Sequence, residues 1–215
     1  MKNLTISTAN AGFDANASGY GVTLTHGRGP GGGTNFSNYG GGGGYGGVGG
    51  RGANASAFGG GTYGLMQTPT SPGSGGGSYP DATLLGGAGG GLIRVEVDLG
   101  MTLNGTVRAD GSGGMGGVGG GGSGGGIYLS CKRLSGTNAV LSANGGSNGR
   151  SDYGGAGGGG RIAVWRITDQ GVTTNTWSIA VVGGTVAGAS GASNGVPGTV
   201  FFGWTSTPGT LILIQ

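Results

Sequence analysis

The chain has 215 residues, of which 64 are glycine, with ten basic and seven acidic residues and a formal charge of +3. Charge and proline are both too sparse for a solvated disordered polymer, and collagen would need glycine at every third position with abundant proline. No run approaches the roughly eighteen apolar residues of a membrane-spanning helix, and the basic residues are scattered, Lys132 and Arg133 being the only adjacent pair, which argues against a nucleic-acid partner.

The N-terminus, "MKNLTISTANAG", holds a short strand, "NLTIST", and lacks the apolar run of a secretory signal. The expectation is a processed or excised piece of a longer precursor, or a virion protein that needs no such signal. A glycine excursion then spans about 17–91, and further excursions follow at 111–126, 145–160 and 183–198. Between them lie short runs rich in Val, Ile, Thr, Tyr and Trp, the composition of half-buried pleated segments.

An internal repeat organises these runs. "GGAGGGLIRVEV" at 86–97, "GGSGGGIYLSCK" at 121–132 and "GGAGGGGRIAVW" at 154–165 line up, with "GVPGTVFFGW" at 195–204 a degenerate fourth copy. Each puts a strand directly after a glycine tract. A second phrase, apolar-any-Ala-Asn/Asp, appears as Phe13–Asn16, Val107–Asp110 and Leu141–Asn144, with "SIAVVGG" at 178–184 as its weaker copy. The unit is therefore strand, turn, strand, glycine excursion. No window offers a helical apolar period, and glycine opposes α-helix by nearly 1 kcal/mol per residue. The expectation is a single all-β domain over 1–215: a short-strand sheet or solenoid body with almost no α-helix.

Ordered glycine tracts would adopt a polyproline II-type conformation, the polyglycine II helix, which turns every three residues and points its N–H and C=O groups outward. With two bare edges, such helices approach until their backbones hydrogen-bond to one another. Ser112, Met115 and Val118 fall three apart, as do Tyr45, Val48, Arg51, Asn54 and Ala57, with Phe36 and Tyr39 in the same phase.

The glycine-then-strand phrases "GGAGGGLIRV", "GGSGGGIYLS" and "GGAGGGGRIAVW", together with "LSANGG", resemble the glycine-rich modules of large secreted bacterial surface proteins. At the level of fold the chain is also similar to the glycine-rich domain of the anaplastic lymphoma kinase receptor family and to the polyglycine-helix tips of T-even-like phage adhesins. The resemblance implies a location outside the cell, on a cell surface or on a virion, and a non-catalytic role in structure or recognition.

The residues offer no catalytic constellation, cofactor motif or metal set. "GGSGG" at 121–125 matches a nucleophile elbow only formally, since the sole histidine is His26 and no helix follows. Glu96 and Asp98, two apart in "RVEVDL", read as a solvated strand face, and the lone Cys131 as a small strand residue. Asn16, Asp110 and Asn144 recur at equivalent positions and read as a structural ladder of stacked amides and turns. Tyr39, Tyr45 and Tyr63, displayed among small residues, are candidates for glycan or outer-membrane receptor recognition, with gap filling between helices as the competing reading.

The terminal strands are candidates for self-association. "GTLILIQ" at 209–215 supplies Leu211, Ile212, Leu213 and Ile214, and the N-terminal strand supplies Leu4 and Ile6. Unpaired apolar edges of this kind invite pairing with another chain, head to tail in a filament or surface layer, or pairing of the two ends within one molecule. The sequence therefore points first to a non-enzymatic structural subunit, then to a receptor-binding adhesin module, and more weakly to an ice- or polysaccharide-binding protein.

Overall fold

A computed structural model of the chain describes residues 1–79, 83, 85–148, 153–170, 176–188 and 191–205, and has no α-helix among them. Strands β1 (Asn3–Ile6) and β2 (Gly12–Asp14) precede the first excursion, which carries a small hairpin of β3 (Asn35–Phe36) and β4 (Tyr39–Gly40). Three triplets follow: β5 (Leu92–Glu96), β6 (Gly100–Leu103) and β7 (Thr106–Arg108); β8 (Gly126–Ser130), β9 (Arg133–Ser135) and β10 (Val140–Ser142); β11 (Arg161–Arg166), β12 (Thr168–Asp169) and β13 (Ser178–Ala180). The last strand is β14 (Thr199–Trp204).

Each member of a triplet joins a different parallel sheet. The sheets run β5-β8-β11-β14, β1-β6-β9-β12 and β2-β7-β10-β13, so the chain visits the three in turn and returns to the first after each glycine excursion. The repeat is thus three strands long. The middle strands escape the sequence reading because they are only two to four residues long, too short to alternate.

Register turns the repeat into a core. Ile93, Ile127, Ile162 and Val200 pair in sequence, as do Val95, Leu129, Val164 and Phe202. Phe13, Val107, Leu141 and Ile179 form the matching row of the third sheet, and Leu4, Met101 and Leu134 that of the second. Most of these side chains are buried in one cluster with Trp177 and Cys131. The pairing corrects the phrase alignment. Aligning "GGAGGGLIRVEV" with "GGSGGGIYLSCK" sets Leu92 beside Ile127, whereas the structure pairs Ile93 with Ile127. One residue of slip would turn every side chain to the opposite face, so burial decides against the glycine count.

The N-terminal strand is not alone. β1 pairs in parallel with β6 along its whole length, which turns Ile6 into the core and packs Leu4 against it. Ile6 is therefore an interior contact of this chain, a correction to its reading as a subunit contact, whereas Leu4 is only partly buried and the outer edge of β1 has no partner among the described strands. Leu211–Ile214 lie outside the described residues.

The glycine segments hydrogen-bond to one another with a three-residue period. Within 120–125, the N–H groups of Gly120 and Ser123 donate to Gly77 and Ser74, those of Gly121 and Gly124 to Gly155 and Gly158, and those of Gly122 and Gly125 to Ser112 and Ala109. Its carbonyls accept in turn from Gly87, Gly43 and Gly146 at residues 120, 121 and 122. One segment thus touches six others. Segment 155–160 repeats the pattern, donating to Gly40 and Gly43, to Gly146 and Ala143, and to Ser193 and Val196.

Such contact leaves no room for a side chain. A Cβ on Gly157 would lie 1.9 Å from the Gly122 oxygen, whereas a Cβ on Gly61 would meet nothing within 4 Å. We predict that Gly157→Ala loses about 1–3 kcal/mol of stability while Gly61→Ala stays within about 0.5 kcal/mol of the parent, read by chemical denaturation.

Candidate interaction surfaces

The recurrent Asn and Asp residues stand where the third sheet gives way to glycine. The Asn16 side-chain oxygen accepts the Asp110 N–H at 2.7 Å, Asp110 accepts the Asn144 N–H at 2.6 Å, and Asn144 accepts the Val182 N–H at 3.0 Å. Asp110 also accepts from the Ser142 hydroxyl at 2.8 Å. The column stops at both ends: Asp14 accepts the Asn16 N–H at 2.8 Å, and Val182 has no side-chain oxygen to offer the next layer.

The tyrosines separate into inside and outside. Tyr45 is 0% exposed, so its ring cannot meet a receptor, and this corrects its reading as a recognition residue. Its ring lies 4.7 Å from that of the half-buried Tyr63, whose hydroxyl donates to the Pro72 carbonyl and meets the Ser74 hydroxyl at 2.9 Å. Between them Arg161 donates to the Tyr63 carbonyl at 3.0 Å, to the Tyr45 carbonyl at 3.3 Å and to the Thr199 hydroxyl at 3.1 Å. Both tyrosines thus fill space between the glycine segments and the first sheet. Burial pushes the Tyr45 hydroxyl up to about 12, against the Arg161 charge and the Ser71 backbone, which pull it down. Tyr63 is raised by the same cause, and desolvation lowers Arg161.

Tyr39 does reach the surface. It sits on the β3–β4 hairpin opposite Phe36, in register across a turn whose Ser37 and Asn38 take φ of 47° and 73°, the left-handed geometry that a two-residue hairpin demands. Cross-strand partners share a face, so Phe36 stands beside Tyr39. The Tyr39 ring stacks on Tyr153 at 5.1 Å, and Phe58 is tied to the hairpin through Thr34. Phe36, Phe58 and Tyr153 remain exposed. Sequence reading placed these aromatics in excursions without grouping them, because their meeting depends on which excursions lie side by side.

A groove of about 330 Å³ opens at the corner after the first sheet, lined among others by Glu96, Asp98, Cys131, Lys132 and Thr205. Glu96 is engaged by Arg94 at 2.7 Å in an exposed pair. Burial pushes the Cys131 thiol up to about 11, with Asp169 adding to the effect and Arg166 opposing it, so the sulfur stays protonated near neutrality. Among the described residues no three His, Cys, Asp or Glu side chains converge to hold a metal ion, and no helix is long and apolar enough to cross a membrane.

Both ends of the sheets carry charged and exposed apolar side chains, Phe13 among them at the N-terminal end. At the N-terminal end the edge strands β1, β2 and β5 carry or adjoin Lys2, Asp14, Arg94 and Glu96, all exposed. At the C-terminal end β12 carries the exposed Thr168 and Asp169, the latter paired with Arg166 at 3.0 Å, and β13 and β14 leave Val182, Val196, Val200 and Trp204 exposed at 56%, 51%, 40% and 59%. Comparison with protein-family models, with curated proteins and with solved structures finds no match to this chain.

Two outcomes follow from the interior. Asp110→Ala leaves the Asn144 N–H and the Ser142 hydroxyl without their acceptor and costs about 1–3 kcal/mol, while Asp110→Asn, which keeps an oxygen, costs less; urea denaturation reads the difference. The fold favours protonated Tyr45, so the stability held by that group is complete below pH 10 and is lost as pH rises toward 12. Tyr45→Phe is therefore expected to flatten the alkaline decline between pH 10 and 12, measured by the pH dependence of the melting temperature.

Proposed function

We propose that this chain is a non-enzymatic extracellular structural protein that self-associates through its terminal strand edges, as a subunit of a filament or surface layer. In this reading the three parallel sheets wind as a solenoid, and the glycine segments pack against it as polyglycine II-type helices. The six-neighbour, three-residue hydrogen-bond pattern around 120–125 supports the packing. The resemblance of the glycine-strand phrases to secreted bacterial surface modules supports the location.

One observation carries the self-association. The inward rows of the core run out at the C-terminal end without a closing layer among the described residues, leaving Val200 and Phe202 at the end of the first sheet and Ile179 and Val181 beside the end of the third. Elongated repeat bodies normally close such ends with polar capping segments, and an open parallel edge offers unpaired backbone groups to a partner.

A second reading, a receptor-binding adhesin module, draws on a different surface, that of the exposed Phe36, Phe58 and Tyr153 with the half-buried Tyr39. Rigid aromatic area of this kind suits recognition of a glycan or of a protein receptor.

Electron microscopy and sedimentation of the purified chain separate the two. The structural reading expects assembly at micromolar concentration, lost in Val182→Lys and Val200→Lys and kept in Phe36→Ala and Phe58→Ala. A chain that stays monomeric at every concentration, or assembly indifferent to charge at the edge, overturns it.

A further inference from the structure

We infer that successive copies of this chain join head to tail as one continuous ladder, with β14 of one copy pairing in parallel with β5 of the next. The inference rests on the reading that the chain associates through its terminal edges, and it fixes which edges meet and in what register.

The two ends are stepped, and the steps match. Each repeat contributes one strand to each sheet, as β5, β6 and β7 do. Among the described strands, β1 and β2 lie one repeat before that triplet with no first-sheet strand beside them. At the other end β14 lies one repeat after β11, β12 and β13, with no second- or third-sheet strand beside it. The first sheet therefore projects by one strand at the C-terminal end, and the other two sheets project by one strand at the N-terminal end. A next copy seated in line sets its β1 and β2 beside β14, and the three complete a repeat. β14 then meets β5 of the next copy, β12 meets β1 and β13 meets β2. If a two-fold axis joined like ends instead, β14 would meet its own equivalent and hold the second and third sheets of the two copies apart by the width of two missing strands.

The ladder continues across the joint without a change of face. Extending the observed offsets sets Val200 beside Ile93 and Phe202 beside Val95 of the next copy, all on the core side. Ile179 falls beside Phe13 of the next copy, which is otherwise 36% exposed. Arg94 and Glu96 alternate to the outer face. There Arg94 of the next copy stands beside Phe201, so its guanidinium, 4.1 Å from the Tyr128 ring on one side, gains a second ring on the other. Glu96 stands beside Gly203, which has no side chain to oppose it. Charge also complements charge on the second sheet. Asp169, which holds Arg166 at 3.0 Å, falls beside Leu4 of the next copy, and the exposed Lys2 lies two residues before Leu4 on the same face. The Asn/Asp column is also satisfied, since Asn16 of the next copy already gives its N–H to Asp14 and asks no oxygen of Val182.

Four strands per sheet in each copy, about 4.8 Å apart, give a rise of about 19 Å per subunit. Electron microscopy of filaments of the full chain is expected to show that rise. Phe13→Lys and Val200→Lys, at exposed positions on opposite ends, are each expected to weaken assembly roughly tenfold or more. Their equimolar mixture is expected to sediment as a dimer that grows no further, because the intact C-terminal end of the first variant meets the intact N-terminal end of the second. Val182→Lys, at a site 56% exposed, takes the place of Val200→Lys if circular dichroism shows that the latter disturbs the fold. Filaments with a different rise, a Phe13→Lys variant that dimerises alone, or a mixture no heavier than its components overturns the in-line joint while the terminal-edge reading stands. A parent chain that stays monomeric at every concentration overturns both.

Discussion

Backbone-to-backbone contact closer than a Cβ atom allows is the constraint on which this molecule depends. Around Gly121, Gly122 and Gly124 an added Cβ would fall 2.1, 2.0 and 2.0 Å from the carbonyl oxygens of Gly146, Ala88 and Ala143. Glycine gives up more chain entropy on folding than any other residue, and hydrogen bonds of the ordinary kind return about 1 kcal/mol each. The arrangement is favourable because almost every N–H in the array finds a carbonyl on a neighbouring segment, so no desolvated backbone group is left to offset the gain. The buried serines of the array replace such a bond. Ser123 and Ser74 are fully buried, the Ser123 hydroxyl accepting the Ser74 N–H at 2.8 Å and the Ser74 hydroxyl accepting the Gly31 N–H at 3.0 Å.

The array and the sheets stabilise each other through register. A strand of the first sheet begins where a glycine segment ends, so the offset that pairs Ile93 with Ile127 also brings the Gly87 and Gly90 N–H groups to Gly120 and Ser123. Neither layer can slip alone. Arg161 sits at that junction, at the first residue of β11. It holds no carboxylate, and its charge is dispersed over three oxygens and the Tyr45 ring 5.4 Å away. Partners of this kind keep a buried guanidinium in place without an opposed ion.

Much of this was legible in the residues, and what escaped has physical reasons. The apolar-any-Ala-Asn phrase placed Phe13, Val107 and Leu141 in one row because β-strand alternation and a fixed turn act on neighbouring residues, and the paired register shows that row. The glycine phrases misled by one residue, since glycines in a tract are interchangeable and only the side chains after them feel the core. The strands at Gly100–Leu103 and Arg133–Ser135 escaped notice because Met101 and Leu134 are isolated apolar residues whose burial depends on two other sheets. Tyr39 and Tyr45 are both followed by glycine, yet one lies at the rim and the other at 0% exposure. What distinguishes them is the neighbour supplied by residues far along the chain, Tyr153 for one and Tyr63 with Arg161 for the other.

The same constraint decides where this fold can vary. Within the array a new side chain meets a carbonyl at about 2 Å, so chemistry cannot be introduced there without separating two segments. At the rim the segments turn and diverge, and there Phe36, Val48, Phe58 and Met115 stand in water at 50%, 43%, 61% and 55% exposure. A surface patch of large apolar side chains is costly for a lone soluble body, and outside the excursions such side chains also stand exposed on β14, at Val200 and Trp204. The tips of the excursions are therefore one place where this architecture can carry recognition chemistry, held in fixed relation by an interior that cannot adapt. The strand edges are the other permissive place, because there the backbone itself is the unpaired group and side-chain size is not limiting.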